Sequence, residues 1–101
     1  MKLKMTKEEF TALYKLLQHM VQKEVPPGIE ITLLYSVLFS VYVKFYKKAI
    51  EEKKKYSVTL EDHEACAWWM FFDRFPIPEH MVFERNLLQT INNSIHQKFA
   101  V

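Results

Sequence analysis

The stretch IEITLLYSVLFSVYVKF, residues 29–45, decides the fold, because its pattern is compatible with either a strand or a helix. Every odd position from Ile29 to Phe45 is apolar, which is the period of two typical of a half-buried strand. A strand of that length would far exceed the usual ~5–6 residues, and residues 29–61 contain no Gly, Pro, Asn or Asp to form a hairpin. The continuation KKAIEEKKK favours a helix. We therefore predict one helix over about residues 30–55, with Thr32, Ser36 and Ser40 as a polar stripe.

Local signals predict three further helices around this one. Thr6 and Glu9 have the spacing of a capping box, so the first helix is expected to begin at Thr6. Thr59 with Asp62 is a plausible cap for the third helix, and Pro78 suits the first turn of the fourth. The short connections favour antiparallel neighbours. The expected fold is all-α, a single helical domain over residues 1–101 built as a small antiparallel bundle of four helices at about 6–24, 30–55, 60–73 and 78–99.

Composition narrows the class of protein. A chain of 101 residues is one domain, and a single glycine argues against an all-β fold with many tight turns. Cys66 has no partner for an internal disulfide and no secretory signal is visible, so we expect a cytoplasmic protein. The longest uncharged run, residues 31–43, is shorter than the roughly 20 residues of a membrane span. We therefore expect no contact with a membrane.

The segment ACAWWMFFDRF, residues 65–75, is apolar over two helical turns, so its side chains point in every direction. Either this helix is central to the bundle, or a second molecule covers its outer side. The second possibility makes the chain a protein-interaction or self-association module, most simply a two-fold homodimer. Large aromatic residues and arginine are typical of such contacts. The predicted interface residues are Trp68, Trp69, Phe72, Arg74 and Phe75.

Motifs for chemistry are missing. His63 and Cys66 lie three residues apart, but a zinc site needs three or four ligands, and no pattern supplies the others. No nucleophile elbow or Gly-rich phosphate loop is present, and one glycine could not build one. We therefore predict a protein that is not an enzyme and has no metal, no cofactor and no small-molecule substrate.

Lysines support an alternative function, that of a nucleic-acid-associated accessory protein. Residues 1–56 hold eleven Lys and six Glu, whereas residues 57–101 hold three basic and six acidic residues. Lysines near phosphates give affinity that depends on salt and not on base sequence. With only two arginines, reading of bases is not expected. The residues predicted for this role lie at the end of the second helix, and they are Lys47, Lys48, Lys53, Lys54 and Lys55.

Overall fold

The computed structural model describes residues 1–99, which form a compact and mostly helical domain. The predicted four helices are present in that range, but the all-α prediction is incomplete, because two strands accompany them. Residues 100 and 101 of the predicted domain lie outside the described residues. In chain order the elements are β1 (Lys2–Thr6), α1 (Lys7–Val21), α2 (Ile29–Ala49), β2 (Lys55–Thr59), α3 (Asp62–Arg74) and α4 (Val82–Phe99).

The deciding stretch is helical, as predicted. Its buried residues are spaced for one side of a helix, and they are Leu34, Leu38, Val41 and Phe45. The alternation of the sequence therefore has another cause, which is that α2 is apolar on its solvent side as well. The predicted end at residue 55 is wrong, since α2 ends at Ala49 and a loop follows.

The two strands form an antiparallel sheet that the sequence analysis did not predict. Met5 pairs with Tyr56, and Leu3 pairs with Val58. These four side chains are buried, whereas the alternating residues between them face outward. Burial of Tyr56 and Val58 against the core outweighs the helix propensity of the preceding lysines. The strands are joined through α1 and α2, so the sheet needs no glycine turn.

The starts of the helices follow capping chemistry. Thr6 accepts a hydrogen bond from the backbone N–H of Glu9, and the Glu9 side chain accepts one from the backbone N–H of Thr6, which confirms the predicted capping box. The third helix begins later than predicted, because Glu61 and Glu64 form its capping box and Thr59 belongs to β2. The fourth begins at Val82, not residue 78, after an irregular segment that contains both prolines of FPIP.

The turn between α1 and α2 depends on Gly28. Its φ of 142° and ψ of 144° lie in a region that only glycine occupies readily. A Cβ placed there would meet Ile31 at 3.8 Å, which is ordinary contact, so an alanine would be strained by its backbone and not by a clash. We expect Gly28→Ala to lower the free energy of unfolding by roughly 1–3 kcal/mol in urea denaturation. The exposed control Lys23→Ala should change it by about 0.5 kcal/mol or less; equal values for the two variants would contradict this account.

Candidate interaction surfaces

Two of the predicted interface residues belong to the core. Trp68 is 0% exposed, and Phe72 is also buried. The Trp68 ring lies 5.1 Å from the Phe72 ring and 6.4 Å from Phe45 of α2, measured between centroids. Trp68 does not reach the surface, and Phe72 reaches it only as part of the lining of a groove between α3 and α4.

The other three predicted interface residues lie nearer the surface, but their own chain holds them. Trp69 is half-buried against His96 of α4, with 5.9 Å between ring centroids. Arg74 donates a hydrogen bond of 2.9 Å to Glu30 of α2. Phe75 is half-buried against Phe71. The structure therefore disperses the five residues and does not bring them together as one exposed patch.

Most of the apolar side chains of α3 are buried within the single chain. Helix α3 contacts both α2 and α4, and it buries Ala65 and Ala67 together with the rings of Trp68, Phe71 and Phe72. Met70 remains exposed among the large residues of its central run. Of the two possibilities left open by the sequence, the central position is the one that the structure shows for most of this helix.

Glu64 is the one charged side chain that is buried among residues 1–99, at 1% exposed. It forms an ion pair with Lys44 of α2, accepts a hydrogen bond of 2.8 Å from Ser40, and caps the backbone N–H of Glu61. Burial alone would raise the pKa of Glu64, but these three donors outweigh burial and hold that pKa below its ordinary value. Lys44 also donates to the Thr59 carbonyl oxygen, so this network joins α2, α3 and β2.

Of the nine large apolar residues that are exposed among residues 1–99, five lie on α2 or at its C-cap, on the side that faces away from the core. We call it the outer face of α2. Three of its residues are far more open to solvent than any aromatic residue of α3: Ile29 is 90% exposed, Leu33 63% and Ile50, the C-cap, 75%. Between these ends lie the exposed rings of Phe39 and Tyr46. Exposed apolar residues that are grouped on one face of a helix mark a contact site more often than isolated exposed residues do.

Polar groups interrupt the outer face of α2 only weakly. Ser36 is exposed, and its hydroxyl donates a hydrogen bond of 2.8 Å to the Thr32 carbonyl oxygen. It therefore does not need water as an acceptor. Two of the four charged residues of α2, Glu30 and Lys44, are paired with Arg74 and Glu64. A third lines a separate cavity. Lys47 is the charge that remains for this face.

The sequence analysis looked for exposed apolar residues on α3, whereas most of them lie on α2, and a signal for this was present in the sequence. The alternation of residues 29–45 places apolar side chains on both sides of a helix, and only one side is needed for the core. By length and composition α2 is also able to cross a membrane, and 22% of its apolar window is buried. A single helix of this kind is weak evidence for a span, although α2 is not mostly buried, as the core helices of soluble proteins that pass the same test are.

The predicted lysine cluster is divided by the fold. Lys48, Lys53 and Lys55 line a cavity of about 440 Å³, whereas Lys47 lies on the outer face of α2. The carbonyl oxygen of Lys54 accepts a hydrogen bond from the Lys7 backbone, which extends the sheet by one pairing. Two lysines that were not predicted, Lys2 and Lys4 of β1, join the cavity from the other end of the sequence.

Within residues 1–99, no group of three or more His, Cys, Asp and Glu side chains is arranged to hold a metal ion. Cys66 is partly buried and is not in a disulfide, and His63 is exposed. Compared with known families, with characterised proteins and with solved structures, the chain has no significant match.

Proposed function

We propose that this protein is a non-enzymatic module that works by self-association, and that the outer face of α2 is the contact. The observation that carries this proposal is the strip of exposed apolar residues between Ile29 and Ile50. Leaving such a strip in water is unfavourable by roughly 25 cal/mol for each Å² of apolar surface. A second copy of the chain supplies a matching strip, and two-fold symmetry brings the two together without leaving one uncovered.

The outer face of α2 is self-complementary when two copies run antiparallel. A two-fold axis near the middle of the helix, between Phe39 and Ser40, pairs each residue of one copy with a residue of the other. Each large residue is then paired with a small or an apolar one. At the centre, Ser36 and Ser40 are the small residues beside Phe39, and they leave room for the Phe39 ring of the other copy. The expected layers pair Ile29 with Ile50, Ser36 with Val43, and Phe39 with Ser40.

Charge at the two ends of α2 also favours the antiparallel arrangement. Its last turn carries Lys47 and Lys48, and the chain just beyond holds three more lysines against Glu51 and Glu52. Its first turn carries Glu30, whose carboxylate is also paired with Arg74. Antiparallel copies place the basic end of one beside the acidic end of the other. Parallel copies would bring the two lysine-rich ends together, and that repulsion is unfavourable.

The size of the surface limits the strength of the dimer. A helix of 21 residues is roughly 30 Å long. One face of it, with its immediate neighbours, buries on the order of 1,000 Å² in total, which is the lower limit for a specific interface. We therefore expect a reversible dimer with a dissociation constant in the micromolar range, on the order of 1–100 μM.

Phe39→Glu tests the proposal, because it places two charges at the centre of the dimer. In sedimentation equilibrium the wild-type mass should rise with concentration from that of a monomer toward twice that value, whereas Phe39→Glu should remain monomeric. Met70→Glu is the matched control, since Met70 is exposed on α3, and it should associate as the wild type does. Melting curves of all three proteins establish that the fold is retained.

The direction of pairing is tested by Lys47→Glu. In an antiparallel dimer this change should weaken association severalfold, because the new carboxylate lies near Glu30 of the other copy, and Glu30→Lys should restore it. In a parallel dimer position 47 would lie beside position 47 and position 30 beside position 30, so Glu30→Lys would not restore association.

Two outcomes would overturn the proposal. One is a wild-type protein that stays monomeric at several hundred micromolar. The other is a monomer that co-sediments with neutral lipid vesicles through the same residues, which would assign the outer face of α2 to a membrane.

A further inference from the structure

The sheet presents a polar face that is distinct from the outer face of α2. Along each strand the residues between the buried ones point outward. The register places each outward lysine across from a residue that carries a hydroxyl: Lys2 from Thr59, Lys4 from Ser57, and Lys55 from Thr6. The Ser57 hydroxyl is itself buried, so the exposed polar groups of this face are the lysines and the two threonines. Because no two lysines are directly paired, their charges are spread over the face and do not repel one another at short range.

Two further lysines lie beside this face, and together with it they line the cavity of about 440 Å³. Lys48 reaches it from the last turn of α2, and Lys53 from the loop before β2. Lys53 is already paired with Glu51 at 2.8 Å, and Glu9 is the acidic residue of the lining. The remaining excess of positive charge comes mainly from Lys2, Lys4 and Lys55, with Lys48 beside them.

The side chains that line the cavity beside the lysines indicate which kind of polyanion fits it. The two large apolar side chains of the lining, Met5 and Tyr56, are both buried. A face that binds lipid usually projects apolar residues into the membrane, and a site for single strands offers aromatic rings for stacking. This face offers neither. Lysines and hydroxyls alone are what contacts to the phosphates of a duplex require.

We infer that the outward face of the sheet, centred on Lys2, Lys4 and Lys55, binds the phosphate backbone of double-stranded nucleic acid without regard to base sequence. No residue of the outer face of α2 lines this surface, so a dimer would present two of them. With about three phosphate contacts, the logarithm of the binding constant should fall with the logarithm of salt with a slope of roughly −3.

The test compares two triple variants of equal charge by fluorescence anisotropy with a short labelled duplex. Lys2→Gln/Lys4→Gln/Lys55→Gln removes the face, whereas Lys15→Gln/Lys23→Gln/Lys98→Gln removes three exposed lysines elsewhere. We expect the first to weaken binding roughly tenfold or more and to reduce the salt slope by about three. The second should weaken binding by less than about threefold, because only the general field of the protein changes.

Several results would overturn the inference. Equal losses in the two triple variants would show that net charge, and not this face, attracts the duplex. Tighter binding to a single strand, or binding to vesicles with anionic lipid but not to the duplex, would assign the lysines to another polyanion. Phe39→Glu should bind the duplex with a similar constant per protomer, so failure of the dimer and failure of this site are separable.

Discussion

Trp68→Ala is expected to lower the free energy of unfolding by about 3–5 kcal/mol, which is the usual loss when a buried tryptophan is truncated. Trp68 is the largest fully buried side chain and contacts aromatic rings of both α2 and α3. A domain of this size has a total stability of only roughly 5–15 kcal/mol. Urea denaturation followed by circular dichroism should therefore show a strongly shifted midpoint, or a protein that is largely unfolded.

The neighbouring Trp69→Ala is the matched control. Trp69 is half-buried, and its loss should cost about 1–2 kcal/mol. Trp68→Phe keeps the measurement interpretable if the alanine variant fails to fold. The indole N–H of Trp68 makes no hydrogen bond to the part of the chain that the structure describes, so phenylalanine removes volume without removing a polar contact. Equal losses for Trp68→Ala and Trp69→Ala would contradict the central position of Trp68.

Glu64→Gln is expected to lower the free energy of unfolding at neutral pH by about 1–3 kcal/mol, because Lys44 loses its charged partner inside the protein. The lower end of this range applies if Lys44, whose side chain is 33% exposed, turns toward water. Ser40 and the backbone N–H of Glu61 donate to different oxygens of Glu64. The amide oxygen of glutamine can replace only one of them, and the amide NH2 takes the place of the other. The measurement is urea denaturation of both proteins across a series of pH values.

The pH dependence separates this network from general acid effects. The pKa of Glu64 is lowered in the folded protein, so its stabilising effect is complete above the unfolded value of roughly 4.3 and is lost as pH falls through the folded value. The wild type and Glu64→Gln should therefore converge in acid and diverge above about pH 5. Glu30→Gln, which removes the exposed pair with Arg74, should change stability by less than about 1 kcal/mol at any pH. A constant difference between the wild type and Glu64→Gln at all pH values would contradict an ionised Glu64.

Much of the helical part of the fold could be predicted from local sequence. The Thr6 capping box and the long apolar helix both follow from interactions within a few residues. The sheet could not be predicted in the same way, because β1 and β2 stabilise each other only after α1 and α2 bring them together. Residues 50–55 favour a helix locally. The helix nevertheless ends before them, because pairing with the distant strand Lys2–Thr6 favours a strand at residues 55–59.

The candidate surfaces were harder to predict for a related reason. Counting apolar residues identified α3 as unusual, but whether Trp68 faces a partner or the core depends on which helix is central. The exposed apolar residues of α2 can be recognised only when it is known which of its apolar residues are buried in the core. Likewise, Lys2 and Lys4 join Lys55 only through the register of the sheet.

The pairing of β1 with β2 also bears on the order in which the molecule assembles. Contacts between segments so far apart in the chain carry a loop-closure cost that local helical contacts do not. The helices are therefore expected to collapse first and the sheet to form late. In the native state the same two strands would open before the helical core does. A bound polyanion should therefore slow hydrogen exchange at the amides of these strands, even where it raises the melting temperature of the whole domain very little.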